Sequence, residues 1–358
     1  MTNADATELL LSLVRTPSPS GDEAAAAAVL AEWSTAHGLE PEVDDTAVRI
    51  VIEGERPGPT LLMASHLDTV PSGDGWSVPP TAGVVKDGRL TARGAVDAKA
   101  SVSAMAAAAA ELAAAGGPAA GRLVVLATYS EETRDTSMPM ALDRLGDPPD
   151  AAVVGEPTSL QPCIAQRGQL LLELHWSGDQ VHAGWAAGRQ PPPVNAINRA
   201  AQDLTALEAL VFERSHPLLG SVAVTPTQLE AGVARNVTPP SCWAMLDIRT
   251  TPSYEHDEVV AMIRDRVSAR IEVYSDRLVP AETPAGSKLL PAVMAARPAG
   301  TPFASPTCSD WVFLRHVDAI KLGPGDSRQS HTIDEWIELA EVRNATQIYT
   351  GIAREYLK

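Results

Sequence analysis

Thr60-Leu61-Leu62-Met63-Ala64-Ser65-His66-Leu67-Asp68-Thr69-Val70-Pro71 is the stretch on which the fold turns. Its first half is an apolar run and reads as a buried strand. His66 and Asp68 stand two apart, so on an extended chain both side chains point to one side. An imidazole can bind a metal through one ring nitrogen while a carboxylate holds the other, which fixes the tautomer and raises the basicity of the ligand. Such a pair alone is a weak signal. It gains weight because the chain supplies further candidates: Asp97, Glu132, Glu156 and His331.

Around this stretch, residues 4–15 read as a helix and 16–21 as a turn. Ser20 and Glu23 have the spacing of a capping box for a helix over 22–37. Strands are expected at 47–53 and 59–65, and a hairpin around Lys86-Asp87-Gly88-Arg89. A long helix follows Arg93-Gly94-Ala95-Val96-Asp97-Ala98-Lys99 and ends before Gly116-Gly117-Pro118. Arg122 to Tyr129 is a strongly apolar strand with Ser130-Glu131-Glu132 at its carboxyl end. After a helix at 137–145, the strand Ala151 to Val154 ends in Gly155-Glu156-Pro157-Thr158. Alternating strands and helices imply an α/β domain with a mixed, largely parallel sheet and helices on both faces. In such sheets ligand groups gather where strands end, and His66, the Glu131-Glu132 pair and Glu156 all follow strands.

The pattern changes after Gly168. Leu170 to Trp176 alternates like a half-buried strand. A helix at 194–210, strands near 221–230 and 241–249, a helix at 255–268 and a strand at 269–274 complete a βαββαβ order, the mark of a small two-layer domain. The segment 280–287 is a return linker, and 288–358 resume the first domain with a terminal helix at 339–356. The expected organisation is therefore a discontinuous first domain, 1–168 and 281–358, with 169–280 inserted as a small separate domain.

The 358 residues carry 28 basic and 45 acidic groups, a net charge of −17, which argues against nucleic acid and anionic membranes as partners. Cys163, Cys242 and Cys308 show no paired spacing, so a reducing cytoplasm is the expected location. The apolar run Leu9 to Val14 lies in an amphipathic pattern behind Asp5 and Glu8 and does not read as a signal peptide. No stretch is long and apolar enough to span a membrane.

Two histidines and three carboxylates are too many for one tetrahedral zinc site with an open position. They suit two divalent ions with one bridging carboxylate, zinc by ligand type, with cobalt also compatible. Glu131 is then spare, and amide hydrolysis needs such a carboxylate to take a proton from water and return it to the leaving amine. Taken singly, each acid reads as a solvated or capping group. The joint pattern carries the inference.

These motifs resemble those of the zinc aminoacylase and di-zinc exopeptidase family, which includes acetylornithine deacetylase, succinyl-diaminopimelate desuccinylase, lysine-releasing carrier-protein hydrolases and carboxypeptidase G. The resemblance spans essentially the whole chain. It implies that His66 is a ligand oriented by Asp68, that Asp97 bridges with a cis bond after it, and that Glu131 is the base beside ligand Glu132. It also implies that Glu156 shares an ion with His66, and that His331, after Gly323-Pro324-Gly325-Asp326, shares the other with Glu132. Val181-His182-Ala183-Gly184 resembles the lid motif whose histidine stabilises the oxyanion, although many members have two serines where Ala183 and Gly184 stand. Arg167, Asn236 and Arg249 fall at family positions for the substrate's carboxylate and carbonyl, and Cys308 and Ser309 at the substrate-contact loop. Arg249 has a structural alternative, an ion pair with Asp247.

The resemblance implies hydrolysis of an N-acyl-amino acid of the acetylornithine kind, N-acetyl or N-succinyl, by a homodimer formed through the lid. The alternatives are release of lysine or ornithine from an acidic amino-group carrier protein, and a dipeptidase or carboxypeptidase activity. A non-catalytic binding protein on the same fold would be signalled by loss of a ligand or of Glu131, and none is lost.

Overall fold

In a computed structural model, residues 5–133 and 136–358 are described. The chain divides into two compact units, one comprising 1–164, 282–303 and 309–358, the other 165–281 and 304–308. The short return of 304–308 to the second unit has no counterpart in the sequence-based division.

The main sheet runs in the order Pro41–Val43, Ala47–Glu53, Arg122–Thr128, Thr60–His66, Ala151–Val154, Asp318–Lys321, Cys163–Gln166 and Ala281–Glu282. Its centre is parallel: Thr60–His66 lies between Arg122–Thr128 and Ala151–Val154, and Asp318–Lys321 runs parallel to the latter. The outer pairings, Ala47–Glu53 with Arg122–Thr128 and Lys321 with Cys163, are antiparallel. Parallel strands share a direction, so four carboxyl ends lie along one edge. His66 pairs with Thr128, Ala64 with Val154, and Lys321 with Val154, which aligns those ends to within a few residues.

The helix Lys99–Ala114 packs on this sheet and is buried without interruption from Lys99 to Ala110. Its alanines are a packing device, because small side chains let a helix approach neighbouring elements on every face. It meets the helices Ala6–Arg15 and Leu339–Tyr356, each with an apolar stripe. A separate small sheet pairs Val84–Lys86 with Arg89–Thr91 through the expected Asp87-Gly88 turn, and Arg89–Thr91 with Trp336–Glu338.

The capping-box expectation fails. The helix Ala24–Ala36 has Glu23 at its N-cap with no side-chain cap. Ser20 instead donates to Asp68 Oδ2 at 2.6 Å, and Glu23 Oε1 accepts from the N–H groups of Gly21 and Ser130. Long-range partners replaced the local one.

The second unit is a four-stranded antiparallel sheet in the order Ala223–Ala231, Ser241–Thr250, Gly168–Ser177, Arg270–Leu278. Along Gly168–Ser177 burial alternates strictly, and Leu170, Leu172, Leu174 and Trp176 join Ala244, Leu246, Ile248 and the helical Val259 and Ile263 in a core of its own. The helices Ala196–Glu208 and His256–Arg264 complete the two-layer pattern. Buried Asp203 ties helix to sheet by accepting from Trp176 Nε1 at 2.6 Å and Ser268 N at 2.7 Å. Among the described residues no helix is long and apolar enough to cross a membrane.

Ala107 is fully buried in the long helix whereas Ala114 is exposed at its end. Ala107→Leu is expected to destabilise the protein by about 1–3 kcal/mol through overpacking. Ala114→Leu should leave urea unfolding at the wild-type midpoint, and equal midpoints for the two variants would refute the close packing of this helix.

Candidate metal centre

The five sequence-nominated ligands converge at the carboxyl edge of the parallel strands. His66 ends its strand, Glu132 follows Arg122–Thr128, Glu156 follows Ala151–Val154, and His331 lies on the loop after Asp318–Lys321. Asp97 comes from the segment before the long helix, and its bond to Ala98 is cis. The approach is close enough to demand glycine: a Cβ at Gly323 would lie 2.5 Å from the Glu156 carbonyl oxygen. Ser130 (φ 57°) and His331 (φ 63°) occupy the left-handed region, uncommon for residues with side chains, where strain is held by the surrounding structure.

The two carboxylate oxygens of Asp97 face different histidines. Oδ1 lies 3.3 Å from His66 Nε2, and Oδ2 lies 3.4 Å from His331 Nε2. Glu156 Oε1 is 3.9 Å from His66 Nε2, and Glu132 Oε1 is 2.8 Å from His331 Nε2. The donor atoms of His66, Asp97 and Glu156 all lie within 4.8 Å of one another, as do those of Asp97, Glu132 and His331. Two triads of mixed nitrogen and oxygen donors thus share Asp97. Glu131 comes within the same reach of His66 and Glu132.

Asp68 is fully buried and holds this arrangement from behind. Its carboxylate lies 3.2 Å from His66 Nδ1, whose hydrogen bond goes to the Asp68 backbone carbonyl at 3.1 Å, and it accepts from Ser20 Oγ and from the backbone N–H groups of Glu131 at 3.0 Å and Glu132 at 3.1 Å. One residue therefore orients His66 and anchors the Glu131-Glu132 pair. Burial alone would push its pKa up, but the close contact and charge of His66, with Ser20 and the Glu132 N–H, pull it down to about 2. With Nδ1 committed to Asp68, Nε2 of His66 faces the site.

The charges fit divalent cations. Asp97, Glu132 and Glu156 have side chains only 12%, 10% and 13% exposed, so little water screens their repulsion. Hydrogen bonds and charge from Asp97 and Glu132 raise His331 to about 10. Burial opposes a proton on His66, yet Asp68 and Asp97 raise its pKa well above the usual range. Burial and neighbouring Asp97 push Glu156 up to about 8. Each shift has one meaning: the pocket draws positive charge to the place between its donors.

Sequence reasoning missed several supports. Glu335, wholly buried, accepts from Arg93 Nη1 at 2.7 Å and from backbone N–H groups of the Asp97 segment. Lys99 Nζ donates to the carbonyls of Leu13 and Thr16 at 2.9 and 3.0 Å, tying the first helix to the start of the long one. The only sequence signals were a lone acid beside Trp336-Ile337 and a lysine at the head of an alanine run.

The remaining nominated residues are placed as follows. In the second unit, exposed His182 accepts from Gly184 N through Nδ1 at 3.1 Å. Arg167 directs its guanidinium at the carbonyls of Leu219, Ser221 and Arg249. Arg249 grips Asp247 through Nε at 2.7 Å and Nη2 at 3.0 Å, the ion pair foreseen as its structural alternative. Asn236 is exposed, and its carbonyl accepts from Ala183 N. Cys308 Sγ donates to the Arg167 carbonyl at 3.1 Å. In the first unit, Ser309 Oγ caps the turn of helix at Asp310–Leu314.

Residues 62–355 match the profile of peptidase family M20/M25/M40. The chain belongs to this family. Solved structures similar across its length include aminopeptidase PepT of Bacillus cereus, with 20% identity, TM-score 0.83 and full coverage of both chains. A tripeptidase of Staphylococcus aureus has 18% identity, TM-score 0.78 and full coverage of both chains. A dinuclear metal-binding M20 peptidase of Bacillus subtilis has 15% identity and TM-score 0.74, over 98% of this chain and 97% of that one. The M20 architecture is therefore this chain's architecture, and the chain is a metallohydrolase of that family.

The proton inventory of this M20 site gives a prediction. Because the folded pKa of His331 is raised from 6.5 to about 10, its stabilisation of the metal-free protein is complete below 6.5 and is lost as pH rises through about 10. A histidine ligand must be neutral, so metal uptake near pH 7 should release protons. Calorimetric titration of metal-free protein in buffers of different ionisation enthalpy should show at least one proton released per chain. The thermal shift on zinc loading should also be larger at pH 9 than at pH 7. Metal uptake with no proton release would refute the charge assignment.

Proposed function

We propose that the protein hydrolyses the amide bond of an N-acyl-amino acid, with zinc at both positions of the centre, and releases the free amino acid. The observation that carries the hydrolytic reading is Glu131, a carboxyl within 4.8 Å of ligand-type atoms on His66 and Glu132 yet not needed by either Asp97-sharing triad. Divalent ions held by the two triads supply Lewis acidity, which polarises a carbonyl and makes water a nucleophile at neutral pH.

Glu131 takes a proton from the attacking water as the carbon–oxygen bond forms. It gives that proton to the amide nitrogen as the carbon–nitrogen bond breaks, so the amine leaves neutral. Burial pushes the Glu131 carboxyl well above its usual range; His66 opposes that shift, and Asp310, Glu156 and Glu132 reinforce it. A carboxylate of raised pKa is a stronger base and can hold the proton between the two steps. Asp68 keeps His66 in one tautomer throughout. The resemblance of Val181-His182-Ala183-Gly184 to the family's lid motif assigns His182 to the oxyanion, in its own chain or a partner's; its Nδ1 accepts from Gly184 N, which leaves Nε2 to donate in the neutral ring.

The N-acyl preference rests on the likeness of the Asp97 and His331 motifs to the deacetylase and carrier-hydrolase branch. Short peptides are the second reading, favoured by similar structures described as an aminopeptidase and a tripeptidase. Amine release from N-acetylornithine, N-acetyllysine, N-succinylornithine, di- and tripeptides and a carrier-linked lysine separates these readings. The expected result is turnover of one small acyl-amino acid well above all peptides. Preferential turnover of free peptides would replace the N-acyl assignment.

Glu131→Gln should lower kcat by about 10²–10⁴-fold, the usual contribution of a general base, while retaining both metal equivalents. Wild-type turnover in that variant would remove Glu131 from its role.

A further inference from the structure

Asp97 is held by its backbone as much as by its side chain, and the group that holds it comes from another part of the chain. Glu335 is wholly buried, four residues beyond His331. Its Oε1 accepts from Val96 N at 2.7 Å and Asp97 N at 3.2 Å, and its Oε2 from Gly94 N at 3.1 Å and Arg93 Nη1 at 2.7 Å. Its own carbonyl accepts from Ala92 N at 3.0 Å. Arg93 is 6% exposed, and its guanidinium lies over the Trp76 ring, 5.1 Å from the centroid.

The geometry follows from the chain's path. Trp336–Glu338 pairs with Arg89–Thr91, so these two segments run side by side as a regular ladder. The ladder ends where Arg93 to Asp97 turns toward the metal centre. Buried N–H groups there need partners that no strand can supply. The Glu335 carboxylate supplies them, and it does so from the segment that carries His331. One side chain thereby fixes the bridging ligand relative to the last ligand.

We propose that Glu335 is a positioning residue of the metal centre, setting the place of Asp97 relative to His331 so that both triads can fill. The proposal rests on the two-ion reading above. Groups behind metal ligands commonly govern affinity, with losses of about 10–100-fold when they are changed. A role confined to fold stability would instead move the unfolding of the metal-free protein and leave metal affinity alone.

The test uses the full-length chain, stripped of metal and titrated with Co²⁺, followed by visible absorption and calorimetry. Glu335→Gln keeps the shape but places an amide NH₂ against a donor. Glu335→Asp keeps the charge for Arg93 but falls a methylene short of the Val96 and Asp97 N–H groups. Asp203→Asn, a buried acid in the second unit, controls for general destabilisation. The expected result is weakening of at least one Co²⁺ equivalent by about 10–100-fold in both Glu335 variants, with an altered cobalt spectrum. Their metal-free Tm should fall no further than that of Asp203→Asn, and Asp203→Asn should bind both equivalents like wild type. Two wild-type affinities in both Glu335 variants would overturn the proposal, as would failure of both variants to fold without metal. Failure of the wild-type protein to take up two equivalents would overturn the two-ion reading itself, and is distinguished by needing no variant.

Discussion

Mutual repulsion among Asp97, Glu131, Glu132 and Glu156 is the constraint on which this structure depends. Two unit charges about 4 Å apart interact by about 4 kcal/mol at the effective dielectric near a protein surface, and these carboxylates are shielded from water. An arrangement that unfavourable persists only if protons or cations compensate it and a rigid scaffold prevents retreat; burial and like charges already raise Glu131 and Glu156 toward their protonated forms. The imidazoles of His66 and His331 supply part of the compensation by holding protons well above the usual histidine range. Two divalent ions would supply it more fully, with each oxygen of Asp97 turned toward a different triad.

The scaffold is the parallel sheet. Because Thr60–His66, Arg122–Thr128, Ala151–Val154 and Asp318–Lys321 share one direction, their following loops cannot avoid one another. Placement along that edge is the work of two buried carboxylates that touch the ligand loops from behind. Asp68 joins His66, Ser20 and the Glu131-Glu132 backbone. Glu335 joins the Asp97 segment to the strand that follows His331. Both accept from backbone N–H groups of the ligand loops, which leaves the ligating oxygens free to face the site.

This division explains what the sequence disclosed. The central strands were legible because each is a short apolar run, and the ligands because each stands just beyond such a run or in a recognisable motif. The terminal helix and the alternating strand at Leu170 to Trp176 were legible from periodicity. Ser20, Glu23, Arg93 and Glu335 were not, because their partners lie far away in the chain: Glu23 caps Ser130 and Glu335 caps Val96. Ser20 and Glu23 even carried a local spacing that pointed elsewhere. A local rule loses when a buried donor or acceptor elsewhere has no other partner, since an unmet buried group costs more than a frayed helix end.

The two nominated arginines of the second unit show the same logic with a different outcome. Arg167 serves three backbone carbonyls, those of Leu219, Ser221 and Arg249, which hold its guanidinium at several points of the chain. Arg249 serves a single carboxylate, Asp247, in a pair 37% and 20% exposed. Exposed ion pairs contribute little net stability, and a second carboxylate can take up the same guanidinium fork with nearly the same geometry. Asp247 has a further donor in Gln169 Nε2 at 2.8 Å and would not be stranded by the exchange. Arg167 is thus tied to three backbone acceptors, whereas Arg249 is held by one part-exposed carboxylate that has a second donor of its own.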